Sequence, residues 1–375
     1  MRISANFDSG NINVLKQQAA DDIELQIHKD NNSDFFQWFH FCLESTALQS
    51  HVIRITNLKN SAYPDAWEGY QAVASYDRET WFRVDSSFSD GTLTIEFTPE
   101  NECTWFAYFA PYSYDRHLDL IAWSQAQTAC RAEFLGYTLD GRDMTLLTVG
   151  SEGEGKKRVW LTARQHPGES MAEWFIEGLL ERLLNEDDPM SQALLQECVF
   201  YIVPNMNPDG SVRGHLRTNA NGVNLNRVWH DPKEATEPEV FHVLQKMHQT
   251  GVDLYLDIHG DEAIPYNFVA GCEGNPDYSE RLAQLEANFS KILLSVTPEF
   301  QTTHGYAKDA PGKANMTVAS NAVCNYFDCL ALTVEMPFKD NDKLPDPAYG
   351  WSPERSKRFG EDMLTAIFNI KEQLK

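Results

Sequence analysis

The sequence predicts an α/β protein in which an N-terminal antiparallel β-sandwich precedes a larger domain, whose mixed, largely parallel sheet is flanked by helices. The chain has 375 residues, more than one hydrophobic core usually accommodates. Short alternating or aromatic-rich segments dominate the part before residue 110. Beyond it, apolar strands alternate with longer helical segments, the pattern of a sheet covered by helices. We therefore predict two domains, residues 1–112 and 113–375.

Six short segments in the N-terminal part are predicted to be strands. Turn-forming clusters such as Lys29-Asp-Asn-Asn-Ser and Ser89-Asp-Gly separate them, and strands at such spacing are typical of a β-sandwich. The segments cover residues 23–27, 35–41, 51–55, 80–84, 92–97 and 104–109. Residues 110–116 are predicted to form the junction.

After the junction, residues 118–134 are predicted to form a helix, and strands and helices then alternate. The predicted strands are 144–149, 158–163, 199–203, 254–258 and 330–334, and the predicted helices are 170–184, 238–248 and 278–294. This alternation favours a largely parallel sheet.

Composition excludes some functions. Lys and Arg total 31 against 55 Asp and Glu, a formal charge of −24, which disfavours binding to nucleic acid and to anionic membranes. No apolar run approaches the ~20 residues that span a bilayer. The first ten residues lack the apolar segment of a signal peptide, and the seven cysteines show no CxxC spacing. We expect a cytoplasmic protein with reduced thiols and no nucleic-acid or membrane partner.

Polar clusters follow four of the predicted strands. The clusters are His166-Pro-Gly-Glu169, Asn207-Pro-Asp-Gly210, His259 and Glu335. In open α/β sheets, functional sites gather at the carboxyl ends of strands. The sequence therefore predicts that these clusters form one site.

His166, Glu169 and His259 are the candidate metal ligands. Imidazole nitrogen and carboxylate oxygen are good zinc ligands, and catalytic zinc usually takes three protein ligands. A His-x-x-Glu pair alone often consists of ordinary solvent-exposed polar residues, and a histidine at a strand end is often satisfied by hydrogen bonds. Their shared placement at strand ends favours the metal interpretation.

Arg217, Arg227 and Glu335 are the further candidates. A guanidinium group matches a carboxylate with two parallel hydrogen bonds, so paired arginines suggest capture of a terminal carboxylate. Alternatively, they pair with Asp209 or Asp231. Glu335 ends an apolar strand, where a carboxylate is costly unless it faces a metal, a cation or water. It is therefore predicted to be a general base, the alternative being a buried salt bridge with Arg227.

Five segments in this order resemble the zinc metallocarboxypeptidases, and within them the cytosolic carboxypeptidase branch. The matching segments are His166-Pro-Gly-Glu169, Asn207-Pro-Asp-Gly210 with Arg217, Asn224-Leu-Asn226-Arg227-Val-Trp229, Asp257-Ile-His259-Gly and Thr333-Val-Glu335. They extend over about residues 115–375, and the N-terminal β-domain resembles that branch too.

The resemblance implies a role for each matching residue. His166, Glu169 and His259 would bind one zinc ion per chain, and Glu335 would be the base. Asn226 and Arg227 would hold the terminal carboxylate of a peptide or protein, and Arg217 would stabilise the oxyanion. The family also uses a mobile tyrosine, for which Tyr306 fits better than Tyr326.

The resemblance also implies a preference for acidic (Glu) C-terminal residues. The arginine that glutamate-trimming members carry before the catalytic glutamate is absent, so Lys313, Lys308 or a basic group from elsewhere in the chain would have to replace it. Two other functions are weighed: an aspartoacylase-like zinc amidase acting on N-acyl amino acids, and a non-catalytic binding protein. The intact stretch from Asn207 to Arg217 favours the peptidase.

Overall fold

The computed structural model describes residues 1–375, and its N-terminal part consists of two five-stranded sheets. The strands are β1 (Arg2–Ser4), β2 (Asn13–Ala19), β3 (Asp22–Gln26), β4 (His40–Glu44), β5 (His51–Ile55), β6 (Val73–Ser75), β7 (Phe82–Arg83), β8 (Ser86–Ser89), β9 (Thr92–Phe97) and β10 (Cys103–Ala107). The strand orders are β1-β4-β10-β6-β7 and β2-β3-β5-β9-β8. All neighbouring pairs are antiparallel except β3–β5. The predicted N-terminal antiparallel architecture is confirmed apart from that pair.

Alternation explains these strands. Ile23 and Leu25 in β3, and Ile53 and Ile55 in β5, are fully buried, whereas the residues between them are partly exposed. The strand predicted over residues 35–41 begins only at His40. Residues 36–39 are buried but do not pair with either sheet.

The second part contains one seven-stranded mixed sheet. Its strands are β11 (Cys130–Tyr137), β12 (Asp143–Val149), β13 (Lys157–Ala163), β14 (Cys198–Val203), β15 (Leu254–Asp261), β16 (Phe268–Ala270) and β17 (Leu330–Pro337). The order is β11-β12-β14-β13-β15-β17-β16. The four strands β14, β13, β15 and β17 are parallel neighbours, and the outer pairs are antiparallel.

Eight α-helices pack around this sheet. They are α1 (Tyr114–Gln125), α2 (Met171–Leu183), α3 (Pro189–Glu197), α4 (Pro208–Arg213), α5 (Pro238–Thr250), α6 (Glu280–Val296), α7 (Ala319–Phe327) and α8 (Pro353–Ile370), with 3-10 turns at Leu58–Asn60, Pro64–Trp67, Leu225–Arg227 and Lys371–Gln373. No helix is both long enough and apolar enough to cross a bilayer.

The helix predicted over residues 118–134 is wrong in its second half. Helix α1 begins after the capping residue Ser113, whose Oγ accepts a hydrogen bond from Arg116 N, and ends at Gln125. Residues from Cys130 onward instead pair with β12 as an edge strand. Alanine, arginine and glutamate favour a helix in this stretch, but pairing with the sheet outweighs that local preference.

The parallel strands bring the polar clusters to one edge of the sheet. His166 lies three residues beyond β13, and His259 and Glu335 lie opposite each other in the register of β15 and β17. His166, His259 and Glu335 therefore meet at one edge of the sheet, whereas Asn207 caps α4 and donates to Gln165 O.

Candidate active site

His166, Glu169 and His259 form a buried cluster whose donor atoms all lie within 4.8 Å of one another. One carboxylate oxygen of Glu169 is 2.7 Å from His166 Nδ1, and the other is 2.7 Å from His259 Nδ1. Helix α2 starts two residues after Glu169, so the His166–Glu169 turn is fixed by the entry into a buried helix.

Acceptors behind the cluster orient both imidazoles. His166 Nε2 is 3.1 Å from Asn224 Oδ1, and His259 Nε2 is 2.8 Å from Asp257 Oδ2. When each Nε2–H donates to that oxygen, each Nδ1 presents a lone pair toward Glu169. In this tautomer a cation placed between the two Nδ1 atoms and Glu169 would satisfy all three groups, and oxygen partners behind ligating histidines are typical of zinc sites. The residues therefore fit a zinc ion.

The electrostatic environment agrees with this fit at two of the three residues. Burial, followed by the positive charge of Arg217, lowers the pKa of His166 to about 4, so its imidazole is neutral near pH 7. Burial acts to raise the pKa of Glu169, but the charges of His166 and His259 outweigh it and hold that pKa below its ordinary value. A neutral imidazole and an ionised carboxylate are the forms that bind metals. At His259, burial acts to lower the pKa, but the negative charges of Asp257 and Glu169 outweigh it and raise that pKa well above its ordinary value, so a metal ion would displace a proton there.

Glu335 is buried beside this cluster. Its Oε1 accepts a hydrogen bond from the Tyr306 hydroxyl at 3.0 Å, and its Oε2 has no hydrogen-bond partner. Burial, and then the negative charges of Glu169 and Asp261, raise its pKa well above the ordinary value. Glu335 makes no salt bridge with Arg227, so that alternative is wrong. The free oxygen remains available to a water molecule or a substrate proton.

The guanidinium groups of Arg217 and Arg227 are not paired with any protein carboxylate. Arg227 donates only to the backbone oxygen of Asn226. The carboxylates weighed as partners are engaged elsewhere, Asp209 with Arg142 and Asp231 with Lys233. Both arginines are therefore free to bind a substrate anion.

The two tyrosine candidates lie in different places. The Tyr306 side chain is at the site, with its hydroxyl 2.8 Å from Asp261 Oδ2 and 3.0 Å from Glu335 Oε1, and the residue is 49% exposed. Tyr326, in α7, donates instead to the backbone oxygen of His230.

All eight predicted site residues line one cavity of about 880 Å³. This volume is in the range of pockets that hold small ligands. The eight residues are His166, Glu169, Arg217, Asn226, Arg227, His259, Tyr306 and Glu335.

Sequence reasoning missed several residues around this cavity. Arg164 adopts a left-handed backbone conformation with φ 57° two residues before His166, and it donates to Pro167 O and Tyr112 O. Tyr63 of the N-terminal part and Glu262 line the cavity, whereas Arg164 is buried and does not line it. For Glu262, the adjacency to Asp261 after a buried strand was a usable signal. For Tyr63 no local signal exists, because it reaches the cavity only through packing of the two parts of the chain.

The fold and the chemistry of this cavity together define a metallohydrolase. Family models describe the sequence further: residues 3–109 match the cytosolic carboxypeptidase N-terminal domain, and residues 118–363 match the zinc carboxypeptidase domain. The chain belongs to the zinc carboxypeptidase family and is a metallocarboxypeptidase, a peptide hydrolase. The aspartoacylase-like alternative is not favoured, and the non-catalytic interpretation is wrong.

Solved structures and curated relatives agree with this family. A metallo-carboxypeptidase from Pseudomonas aeruginosa, in complex with (2-guanidinoethylmercapto)succinic acid, is 48% identical with a TM-score of 0.97 and full coverage of both chains (100% each). A metallo-carboxypeptidase from Burkholderia cenocepacia is 45% identical, with a TM-score of 0.97 and 99% coverage of each chain. Cytosolic carboxypeptidase 6 of Mus musculus is 29% identical over 83% of this chain. The chain spans only 62% of that mouse protein and 26% of cytosolic carboxypeptidase 1 of Xenopus laevis.

Proposed function

We propose that the protein removes single residues from the C-terminus of peptides or proteins, with His166, Glu169 and His259 holding one zinc ion per chain. The observation that carries this proposal is that two unpaired guanidinium groups share a cavity with the three metal-binding side chains and Glu335. Two guanidinium groups that form no ion pair with a protein carboxylate can bind the C-terminal carboxylate of a peptide substrate.

Zinc bound there supplies Lewis-acid chemistry, which polarises a carbonyl oxygen and acidifies water. Glu335 would accept a proton at its free Oε2 and deliver it to the leaving amine. Arg217 would donate hydrogen bonds to the oxyanion that develops at the scissile carbonyl.

Substrate binding would rest on Asn226, Arg227 and Tyr306. Arg227 would bind the terminal carboxylate, and Asn226, whose Oδ1 is fixed by the backbone N–H of Ala319 at 2.8 Å, would donate from its amide nitrogen. Tyr306 would exchange its bonds to Asp261 and Glu335 for the substrate, since its half-exposed position leaves it free to turn.

A preference for acidic C-terminal residues remains a prediction, and it would depend on Lys308. Lys308 lines the cavity, but its Nζ is already 2.7 Å from Glu273 and 3.7 Å from Glu286. Lys313 is exposed and does not line the cavity. An acidic side chain would have to compete with two carboxylates for one ammonium group, so selectivity for Glu should be weak.

A basic C-terminal residue is the competing candidate. Glu273 and Glu286 face the same cavity and carry more charge than Lys308 neutralises. The ligand of the Pseudomonas aeruginosa relative also combines a guanidinium group with two carboxyl groups.

N-benzoylated Gly-X dipeptides, with X as Glu, Leu, Phe or Arg, test both the activity and the preference. We expect release of free X by the zinc-loaded enzyme, and little release from C-terminally amidated analogues, which cannot accept two hydrogen bonds from Arg227. Equal cleavage of free and amidated peptides would contradict the proposed carboxylate binding. Faster release of Leu than of Glu would end the acidic-preference prediction, and Arg released fastest would establish the basic alternative.

Ligand variants test the metal assignment. His166→Ala, Glu169→Ala and His259→Ala should each lower the zinc content below one ion per chain, because two protein ligands hold zinc poorly. If a variant keeps one zinc ion per chain and normal turnover, the substituted residue is not a zinc ligand.

Two further assignments are proposals. A division into residues 1–112 and 113–375 is supported by the end of β10 at Ala107 and the start of α1 at Tyr114. A cytoplasmic location is supported by the seven free cysteines and by relatives that are named cytosolic carboxypeptidases.

A further inference from the structure

The loop that carries Arg217 is anchored to the N-terminal part of the chain as well as to its own domain, where Gly168 N donates to Leu216 O at 2.9 Å. This loop, residues 214–224, connects α4 to the 3-10 turn at Leu225–Arg227. Asn11 Nδ2 donates to Gly214 O at 2.8 Å, and the backbone N–H of Asn31 donates to His215 Nε2 at 3.2 Å.

Asp30 makes the central contact with this loop. Its side chain is buried, with the residue only 3% exposed. It accepts hydrogen bonds from the backbone N–H groups of Leu216, Arg217 and Thr218 at 2.7, 2.8 and 2.9 Å, and from Thr218 Oγ1 at 3.1 Å. Three consecutive amides bound to one carboxylate fix the direction of the backbone at Arg217.

Aromatic rings from the same part of the chain hold the Arg217 side chain. Its guanidinium carbon lies 5.6 Å from the ring centre of Phe35 and 5.7 Å from that of Tyr63. These distances are those of cation–π contacts. Asp30 N also donates to Phe35 O at 2.9 Å, so one turn presents both the carboxylate and a ring.

We infer that Asp30 is a positioning residue for catalysis, and that Phe35 and Tyr63 hold the guanidinium group of Arg217 toward the reacting carbonyl. The N-terminal sheets thereby complete the active site. This inference rests on the proposed role of Arg217. The guanidinium group has no carboxylate partner to orient it. Its orientation therefore depends on the hydrogen bonds that Asp30 accepts from the backbone and on the rings of Phe35 and Tyr63.

Asp30→Asn in the zinc-loaded full chain tests the inference, with the N-benzoylated Gly-X dipeptide that the wild type cleaves fastest as the probe. Asparagine keeps the size but replaces one acceptor oxygen with a donor, so the three amides cannot all be satisfied. We expect kcat per bound zinc to fall roughly 10- to 100-fold with KM changed much less, because a misplaced group acts on the transition state. Asp34→Asn is the matched control, since Asp34 lies in the same turn but is exposed and paired only with Lys29.

The combination with Arg217→Ala separates positioning from a merely structural role. Arg217→Ala alone should lower kcat by roughly 10²–10³. If Asp30 acts through Arg217, adding Asp30→Asn to that variant should lower kcat little further. Full additivity of the two losses, or an unchanged kcat in Asp30→Asn, overturns the inference. Normal turnover in Arg217→Ala would instead overturn the proposed role of Arg217 itself.

Phe35→Leu covers the case in which Asp30→Asn fails to fold. Leucine retains apolar bulk but offers no π-face, and the backbone anchor remains intact. We expect kcat to fall roughly 3- to 10-fold in the wild-type background and to stay unchanged in the Arg217→Ala background. A loss of equal size in both backgrounds would contradict the role of the ring.

Discussion

At the residue scale, Glu335 occupies a position where a carboxylate is costly to bury. One of its oxygens is held by Tyr306, and the other has no partner. Buried polar atoms are nearly always hydrogen-bonded, and a catalytic role is one explanation for an exception. Its use in proton transfer would account for its retention.

Glu335→Gln tests that use while preserving shape. We expect zinc content to remain near that of the wild type and kcat to fall by roughly 10²–10⁴, because the amide cannot accept the proton. Metal analysis and turnover of the same sample measure both quantities. Glu280→Gln, at an exposed position in α6, is the control and should change neither. Loss of zinc in Glu335→Gln would make Glu335 a ligand.

Glu239 predicts a pH dependence of stability away from the site. Burial raises its pKa from 4.5 to about 8, and one of its oxygens has no partner. The folded state therefore keeps a proton that the unfolded state loses above about pH 4.5. Stability is lost as pH rises from there through about 8, at roughly 1.4 kcal/mol per unit of pKa difference.

Glu239→Gln should remove that loss. We expect its melting temperature to exceed that of the wild type at pH 8.5 and to approach it at pH 5, as measured by thermal unfolding. Glu234→Gln, at an exposed side chain, is the matched control. Equal stability of wild type and Glu239→Gln at pH 8.5 would show that Glu239 is ionised without cost.

At the scale of elements, the features that the sequence predicted are the strands with a regular apolar pattern and the polar residues that follow them. The strands that lead to His166, His259 and Glu335 lie close to where they are predicted, because each is a mostly apolar run followed by polar residues. Strand β11 was missed because its residues favour a helix locally and are held by an edge pairing with β12. Side chains whose partners lie far along the chain, such as Asp30 and Tyr63, leave no local pattern to read.

The packing of α2 against α8 gives a prediction at this scale. The two helices are in close contact at a glycine in each, Gly178 in α2 and Gly360 in α8. A Cβ on Gly178 would lie 2.3 Å from Lys357 O, and a Cβ on Gly360 would lie 2.1 Å from Phe175 O. Alanine is the better helix former by about 1 kcal/mol, but the clash forces the helices apart. We expect Gly178→Ala to lower the free energy of unfolding by roughly 1–3 kcal/mol, as measured by denaturant unfolding.

Gly153→Ala is the control for this substitution. Its Cβ would approach only the Lys156 side chain, no closer than 3.8 Å. It should leave stability within about 0.5 kcal/mol of the wild type. A Gly178→Ala variant as stable as Gly153→Ala would show that the two helices can separate freely.

At the scale of the whole molecule, Arg83 in β7 ties the N-terminal sheets to the segment that follows β17. Its side chain donates to Phe338 O at 2.7 Å and Lys339 O at 2.6 Å, and to Tyr349 O at 3.2 Å. One hydrophobic core also runs through both parts of the chain. The strand that carries Glu335 is thus connected, through the segment after it, to the other part of the molecule.

Arg83→Met should weaken this connection. Methionine keeps an apolar stem but leaves the carbonyl groups without their donor, at a cost of roughly 1–3 kcal/mol for each group that water does not reach. We expect a lower melting temperature in calorimetry, with the unfolding transition broadened or split as the two parts uncouple. Arg54→Met, which removes a single bond to Asp21 O within the N-terminal sheets, is the control. An unchanged single transition in Arg83→Met would show that the hydrophobic core alone couples the parts.

The anchoring of the Arg217 loop by Asp30 also limits which chimaeric proteins can be made by exchanging parts of this chain with parts of a relative. A gene fusion that exchanged the N-terminal sheets for those of a distant relative would keep every proposed metal ligand and the proposed base. It would nevertheless separate the arginine from the carboxylate that accepts its backbone N–H. Successful chimaeras should therefore be those that inherit the turn around Asp30 together with residues 214–224. If Asp30 positions Arg217 as we infer, the catalytic unit includes the turn around Asp30 as well as the C-terminal part of the chain.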